Sequence, residues 1–183
     1  NATSWSYRRS PQANDEPLCD GCNLLLISLD IFRPDHMECM GYGKTTSPNM
    51  CQMAKEGALF ENFIVHAYQT PVSQMSIFTG RYPSSNGFVS FTSKLAPDMP
   101  YFPEALKKAG YTCGVFGKWH LGYEPQFNPI EHGWDEFFGY MGGNVHYFNH
   151  RELSDLHVLF QGRLPVYRKG YMTHLITDSS IDF

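Results

Sequence analysis

Residues 66–83 constrain the fold most strongly, because they read as a turn followed by a helix that starts at a hydroxyl residue. Thr70 is a good N-cap, and Pro71 suits the first helical position, where its missing N–H would have no partner. Gly80 stands where a helix usually ends. A hydroxyl at such a helix start faces backbone N–H groups and the positive end of the helix dipole. The segment therefore predicts either an anion site at Thr70 or a capped helix with no further role.

A continuous apolar run at residues 23–29 has the pattern of a strand buried on both faces of a parallel sheet. It ends at Asp30, and ligands in open α/β sheets gather at the carboxyl ends of strands. A carboxylate there is well placed for a metal, although alone it would more often cap a turn. Further strands are expected at 59–65 and 111–116, and helices between 47 and 57 and at 103–109. Strands alternating with capped helices predict an α/β fold with a mostly parallel sheet sandwiched by helices.

The expected strand at 111–116 leads to Lys118 and His120. Alternate residues of an extended segment point to the same side, so both side chains can reach one anion. Lysine supplies a compact charge and histidine a proton for a leaving-group oxygen. The alternative is a surface lysine beside a packed histidine.

Composition excludes two classes of partner. The net charge of −4 comes with no basic run, which argues against binding to nucleic acid. No apolar run approaches the length of a membrane-spanning helix. Asn1-Ala-Thr3 is an N-glycosylation sequon with no initiator methionine before it, so we expect a glycoprotein of an exported compartment, either secreted, lysosomal or periplasmic.

The five cysteines are too few for a disulfide scaffold. Cys19 and Cys22 can form a small disulfide loop, remain free thiols, or provide half of a metal site. Cys39 and Cys113 lie in segments that look buried, and a small apolar thiol is expected at both positions.

Residues 66–83 and 110–122 together resemble the two signature blocks of the sulfatase family, a branch of the alkaline-phosphatase superfamily. The second block contains Gly-Lys-Trp-His-Leu-Gly, and His-Gly-Trp-Asp follows at 132–135. The resemblance covers nearly everything after residue 22. It implies that residues 22–183 are the N-terminal part of a sulfatase-like catalytic domain, with the remainder absent from this sequence. The polar residues 1–21 are expected to form an extended N-terminal arm.

The resemblance implies roles for five residues in a hydrolase that acts on sulfate or phosphate esters. Thr70 occupies the nucleophile position, Lys118 and His120 bind the anion and protonate the leaving group, and Gln74 contacts substrate. Asp30 is the expected ligand of a divalent metal, by family likeness calcium. Either the sequence is a fragment of a longer polypeptide, or a second chain carries the rest of the domain.

Three positions depart from the family pattern. Ile31 stands where many sulfatases have a second metal-binding aspartate. Thr70 replaces the Cys or Ser that is oxidised to formylglycine, so no formylglycine is expected there. Gln74 replaces an arginine, and one such donor is often worth about 3 kcal/mol in the transition state. These departures favour the alternative of a catalytically inactive sulfatase-fold subunit that serves as an extracellular binding or structural component.

The C-terminal third carries smaller expectations. Residues 128–143 read as a loop beside the site, and residues 156–166 as a hairpin. His146 and His150 can face substrate, although histidines in a polar loop are usually solvated. A helix is expected at 175–183, with Ile181 and Phe183 pointing inward.

Overall fold

The computed structural model describes residues 21–90, 93 and 99–183. Most of the arm expected at 1–21 therefore lies outside the described residues. The sequon at Asn1 and Cys19 of the expected Cys19–Cys22 loop lie outside them too.

The chain divides into two compact units, Asn1–Gly57 and Ala58–Phe183.

In the first unit, two short 3-10 helices, Pro34–His36 and Glu38–Met40, precede helix α1, Pro48–Glu56. A disulfide joins Cys39 to Cys51, with the Cα atoms 5.4 Å apart. The prediction of a free thiol at Cys39 was therefore wrong, because the first turn of α1 brings the Cys51 sulfur against the second 3-10 helix.

The Glu38 carboxylate makes a second connection within this unit. Its Oε2 accepts hydrogen bonds from the backbone N–H groups of Thr46 and Ser47, at 3.1 and 2.9 Å, and from the Ser47 hydroxyl at 3.0 Å. Ser47 is the N-cap residue of α1, but its hydroxyl binds Glu38, and no side chain caps that helix.

Two expected strands, 23–29 and 59–65, are not strands in the structure. Neither segment pairs with another strand among the described residues. Their apolar side chains are largely exposed, Leu25 by 77% and Ile64 by 82%. An apolar run becomes a strand only when a neighbouring strand satisfies its backbone groups, and the sequence pattern does not reveal whether that neighbour is present.

Three helices follow in the second unit: α2, Thr70–Thr79; α3, Pro83–Asn86; and α4, Phe102–Lys108. Helix α2 ends at Gly80, whose φ of 64° is left-handed, as expected. Its N-cap residue is Gln69 rather than Thr70, so Thr70 is already the first helical residue. Helix α4 confirms the helix expected at 103–109.

The sheet has the order β1–β2–β3–β4, and its strands are β1, Gly114–Lys118; β2, Glu136–Tyr140; β3, Leu159–Gln161; and β4, Leu164–Pro165. Strands β1 and β2 are parallel, whereas β3 and β4 are added antiparallel. The α/β class is confirmed, with a mixed sheet in the described residues. The hairpin expected at 156–166 is also confirmed, but β2 lies inside the segment 128–143 that was expected to be a loop.

Each face of the sheet carries its own core. Phe137 of β2 packs in a cluster with Met75 and Phe78 of α2, whereas the next residue, Phe138, packs with Met172. Successive strand residues point to opposite faces, so the two clusters lie on opposite sides of the sheet.

The second cluster is closed by helix α5, Met172–Asp182. The expected C-terminal helix is thus confirmed and begins three residues early. Ile181 and Phe183 do not point inward as expected, because they are 75% and 53% exposed, although the Phe183 ring contacts Phe116 at 5.5 Å.

Candidate functional site

The N-terminal half of α2 carries two of the predicted site residues. Thr70 and Gln74 are both partly buried and lie four residues apart, on the same side of one helical turn. The helix is anchored by Val72, Met75 and Phe78, which are all buried in the first core. The packing of α2 therefore sets the position of Thr70.

Lys118 and His120 lie at the carboxyl end of β1, as predicted. Lys118 is the last residue of the strand and pairs in register with Tyr140 of β2. The parallel pairing continues one step further, because the backbone N–H of His120 donates to the Met141 carbonyl at 3.1 Å. His120 has a left-handed φ of 56°, so the chain is no longer regularly extended there. Strand alternation therefore does not by itself place the Lys118 and His120 side chains on the same side. Their binding of a single anion remains a prediction.

Trp119 connects this strand end to helix α2. Its indole is 1% exposed and stacks on Phe78, with ring centroids 5.7 Å apart. Its Nε1–H donates to the Phe127 carbonyl at 2.6 Å. One core therefore fixes both sequence blocks, the helix that starts at Thr70 and the strand end that carries Lys118 and His120.

Two glycines beside His120 belong to the site and were not recognised in the sequence. A Cβ placed on Gly143 would lie 2.5 Å from His120 Nε2, and one on Gly142 would lie 1.5 Å from Glu152 Oε1. Both side chains thus rest directly against backbone. Adjacent glycines inside the expected loop were the available signal for such a close approach.

Glu152 is held in place by Tyr123. The Tyr123 hydroxyl donates a short hydrogen bond to the Glu152 carboxylate. Burial of the phenol, together with this carboxylate, raises the pKa of Tyr123 to about 12, so the phenol remains a donor at neutral pH.

Asp135, in the His-Gly-Trp-Asp segment, positions the start of β1. Its carboxylate accepts a hydrogen bond from the Cys113 N–H at 2.9 Å and pairs with Lys107 at 2.7 Å. The Lys107 ammonium and the Cys113 N–H hold the pKa of this carboxyl below its usual range. The Cys113 thiol is free and buried, as predicted, and burial raises its pKa.

Asp30 is exposed in a turn of the first unit. Asp35, five residues further along the chain, forms a two-point ion pair with Arg33, at 3.2 and 2.5 Å. Within the described ranges, no three His, Cys, Asp or Glu side chains are grouped so that they can hold a metal ion. Calcium takes six to eight oxygen ligands, so these residues do not complete a calcium site by themselves.

The two loop histidines differ in their surroundings. His146 is exposed, as expected, whereas His150 is 1% exposed and its Nε2 lies 3.1 Å from the Gly170 carbonyl oxygen. The expectation of a solvated His150 was wrong, because its ring is buried and bonds to the Gly170 carbonyl. None of the described helices has both the length and the apolar content needed to cross a bilayer.

Comparisons with known proteins agree on one family. The sequence model of the Sulfatase family matches residues 22–183. Human N-acetylgalactosamine-6-sulfatase is 35% identical over 82% of this chain and 30% of its own length. N-acetylglucosamine-6-O-sulfatase of Bacteroides thetaiotaomicron is 33% identical over 88% of this chain and 27% of its own length.

A solved structure gives the same result in three dimensions. The structure of BT4656 in complex with its substrate D-glucosamine-2-N,6-O-disulfate superposes with a TM-score of 0.67 at 31% identity, over 81% of this chain and 28% of that one. The chain spans about a third of the length of the curated relatives, 36% of the mouse and 30% of the human N-acetylgalactosamine-6-sulfatase.

Proposed function

Since the chain belongs to the sulfatase family, we propose that it contributes the N-terminal part of a catalytic domain that hydrolyses sulfate esters, with phosphate esters as a second substrate class. The observation that carries the proposal is the stacking of Phe78 on Trp119. Through this contact one core supports both helix α2, which begins at Thr70, and the carboxyl end of β1. The start of a helix and the carboxyl end of a parallel strand are two places where α/β proteins bind anions.

In the proposed reaction, the Thr70 hydroxyl gives its proton to solvent water as its oxygen attacks the sulfur or phosphorus atom, and the bond from that atom to the ester oxygen breaks. His120 gives a proton to the departing alkoxide, and the Lys118 ammonium balances the charge on the non-bridging oxygens. Water then attacks the same sulfur or phosphorus atom and gives a proton to His120, the bond from that atom to the Thr70 oxygen breaks, and the threonine oxygen takes a proton from solvent. Gln74 offers a neutral amide where the family has an arginine, so we expect slower turnover than in an arginine-containing relative.

The substrate class is proposed from the relatives. Two of them are named as 6-sulfatases of N-acetylated hexosamines. We therefore propose a carbohydrate sulfate, with the ester on a primary hydroxyl of a hexosamine, as the natural substrate class.

A divalent cation, calcium by family likeness, is proposed at Asp30. The remaining ligands would have to come from the part of the family's length that this chain does not span, in the same polypeptide or in a second chain. The disulfide between Cys39 and Cys51 supports an exported, oxidising compartment.

A second candidate function is an inactive binding subunit. Gln74 favours it, because this neutral side chain replaces the arginine whose charge would hold the nucleophile. Thr70 favours it as well, because a sulfated formylglycine hydrate releases sulfate by re-forming the aldehyde, and a sulfated threonine cannot do so. Turnover distinguishes the two candidates.

The test uses the full-length protein with 4-nitrophenyl sulfate and bis(4-nitrophenyl) phosphate. Activity on either ester that disappears in Thr70→Ala and persists in Thr112→Ala, a change at an exposed threonine, supports the proposed hydrolase. Lys118→Ala is compared in the same way with Lys108→Ala, which is also exposed. A folded protein that turns over neither ester would contradict the hydrolase and favour the binding subunit.

A further inference from the structure

The two glycines that follow the end of β2 face two different groups. A Cβ on Gly142 would overlap the Glu152 carboxylate and lie 2.7 Å from the Tyr123 hydroxyl oxygen. A Cβ on the next residue, Gly143, would lie 2.5 Å from His120 Nε2. One residue of this dipeptide therefore packs against the Tyr123–Glu152 pair, and the other packs against the imidazole of His120.

The phenol of Tyr123 connects Glu152 to the backbone of Gly143. Its hydroxyl donates the short hydrogen bond to the Glu152 carboxylate. The phenol oxygen also accepts a hydrogen bond from the backbone N–H of Gly143. A phenol can form both bonds at once, because its oxygen is a donor and an acceptor. The carboxylate thus fixes the direction of the phenol proton and leaves the oxygen lone pairs for the glycine N–H.

A tight turn fixes the backbone of Glu152. Its N–H donates to the Leu156 carbonyl at 3.0 Å, and its carbonyl accepts from the Asp155 N–H at 2.9 Å. The Arg151 guanidinium donates to the Asp155 carbonyl at 2.6 Å, which adds a further bond across the same turn. The carboxylate that meets Tyr123 is therefore held by an ordered turn.

The segment that carries Tyr123 is tied to the buried core beside His120. A Cβ on Gly122 would lie 2.5 Å from the Phe127 ring, so the chain passes directly over that ring. The Phe127 carbonyl accepts the hydrogen bond from Trp119 Nε1, at 2.6 Å. The indole that precedes His120 in the sequence thus also anchors the loop that brings Tyr123 back towards it.

The His120 ring needs such support. The sheet fixes the backbone of this residue through its bond to the Met141 carbonyl, at 3.1 Å, and the left-handed φ of 56° then turns the chain. Such a backbone conformation is uncommon outside glycine and persists where the surrounding contacts hold it. In the proposed reaction, a small displacement of the ring from the leaving oxygen would slow proton transfer.

We propose that Tyr123 and Glu152 are positioning residues for His120. Together they hold the Gly142–Gly143 backbone against the imidazole, and this contact keeps the ring in place for proton transfer to the leaving group. The role rests on the proposed function, in which His120 protonates the ester oxygen, and it goes beyond that function by assigning a task to two side chains that act through the backbone.

The kinetic experiment compares two sulfate esters of the full-length protein that differ in how much the leaving group needs a proton. 4-Nitrophenolate departs readily without one, whereas phenolate is a stronger base and depends more on a general acid. In Tyr123→Phe and in Glu152→Ala, kcat for phenyl sulfate should therefore fall about 10-fold further than kcat for 4-nitrophenyl sulfate, with KM little changed. Glu152→Gln keeps an acceptor for the phenol, so its ratio of the two kcat values should stay within about 3-fold of wild type.

Two variants serve as matched controls. Tyr167→Phe removes a hydroxyl from a tyrosine that is 76% exposed, and Glu124→Ala removes an exposed carboxylate from the residue next to Tyr123. Both should keep the wild-type ratio of the two kcat values.

A second measurement needs no turnover. NMR of protein isotope-labelled at the histidine Cε1 atoms reports on the His120 ring, whose signal is identified by its absence in His120→Gln. The signal should shift in Tyr123→Phe and in Glu152→Ala and keep its position in both controls.

The outcomes separate the positioning role from the proposed function. A wild type that cleaves both esters, with an unchanged ratio in Tyr123→Phe and Glu152→Ala, would overturn the positioning role and leave the function standing. Equal losses in Glu152→Gln and Glu152→Ala would overturn it too, because charge rather than position would then matter. A folded protein that cleaves neither ester would contradict the proposed function. The His120 signal would then still decide whether the pair holds the ring, and an unshifted signal in both variants would overturn that contact.

Discussion

Gly139 of β2 lies directly opposite Gly117 of β1, and the two backbones approach so closely that a Cβ on Gly139 would be 1.9 Å from the Gly117 carbonyl oxygen. This contact lies one residue before Lys118 and Tyr140, where the paired strands end. The two strands can thus lie this close together at the candidate site because residue 139 is a glycine and has no side chain.

Gly139→Ala should therefore destabilise the second unit by about 3 kcal/mol, since the added methyl group meets rigid backbone rather than a movable side chain. Urea unfolding followed by circular dichroism measures the change. Gly43→Ala is the control, because a Cβ there meets nothing within 4 Å. Equal stability of the two variants would show that the strands can separate at no cost.

The sheet also shows how far the sequence alone could predict the fold. The helices at α2 and α4 and the hairpin were predictable, because Pro, Gly and the helical spacing of apolar residues act locally. Strand pairing is not local. Residues 23–29 have a stronger strand pattern than β2, yet only β2 is paired in the described residues, since the neighbours that a strand finds are set by the whole chain.

The candidate site, like the sheet, could be predicted only in part from the sequence. Lys118 and His120 were placed at a strand end by sequence reasoning, and the structure places them there. The left-handed φ of His120 and the contacts of Gly142 and Gly143 depend on how 141–143 pass the end of β1, which no local pattern encodes.

A second prediction concerns the glycine beside the catalytic candidate. Gly143→Ala should lower turnover of 4-nitrophenyl sulfate about 10- to 100-fold, because the new methyl group must displace the His120 ring and small misplacements of a reacting group are costly. Thermal stability should change much less than turnover. Gly43→Ala again serves as the control, and unchanged turnover in Gly143→Ala would remove His120 from the proposed mechanism.

The Glu38 carboxylate gives a prediction about acid stability. Burial opposes its ionisation, but the hydrogen bonds from its own backbone N–H, from the N–H groups of Ser47 and Thr46 and from the Ser47 hydroxyl outweigh it and lower the pKa from 4.5 to about 2. A lowered pKa stabilises the folded form fully above pH 4.5, and this stabilisation is lost as the pH falls from 4.5 towards 2.

Glu38→Gln should accordingly reduce stability at pH 6 and show a smaller loss than wild type between pH 5 and pH 3. Denaturant unfolding over this pH range is the measurement, and Glu61→Gln, at an exposed glutamate, is the control. Parallel pH profiles of Glu38→Gln and wild type would contradict this account of the carboxylate.

The disulfide of the first unit gives the last prediction. Removing it in the double variant Cys39→Ala, Cys51→Ala should cost about 3 kcal/mol, the value expected for a loop closed by residues 12 apart. Unfolding with and without dithiothreitol measures it. Because Cys22 is also disulfide-bonded, the reductant should destabilise wild type by more than it destabilises the double variant, whereas equal sensitivity of the two would show that another disulfide is responsible.

The placement of Phe137 and Phe138 on opposite faces of β2 has a consequence for strand register. If β2 slipped by one residue in one direction, a phenylalanine would still reach the first core, but Gly139 would leave a hole in the second. A slip in the other direction would fill the second core and push the Glu136 carboxylate into the first. Neither of these alignments places an apolar side chain in both cores. Strand β2, which ends beside the candidate site, therefore has a single acceptable alignment.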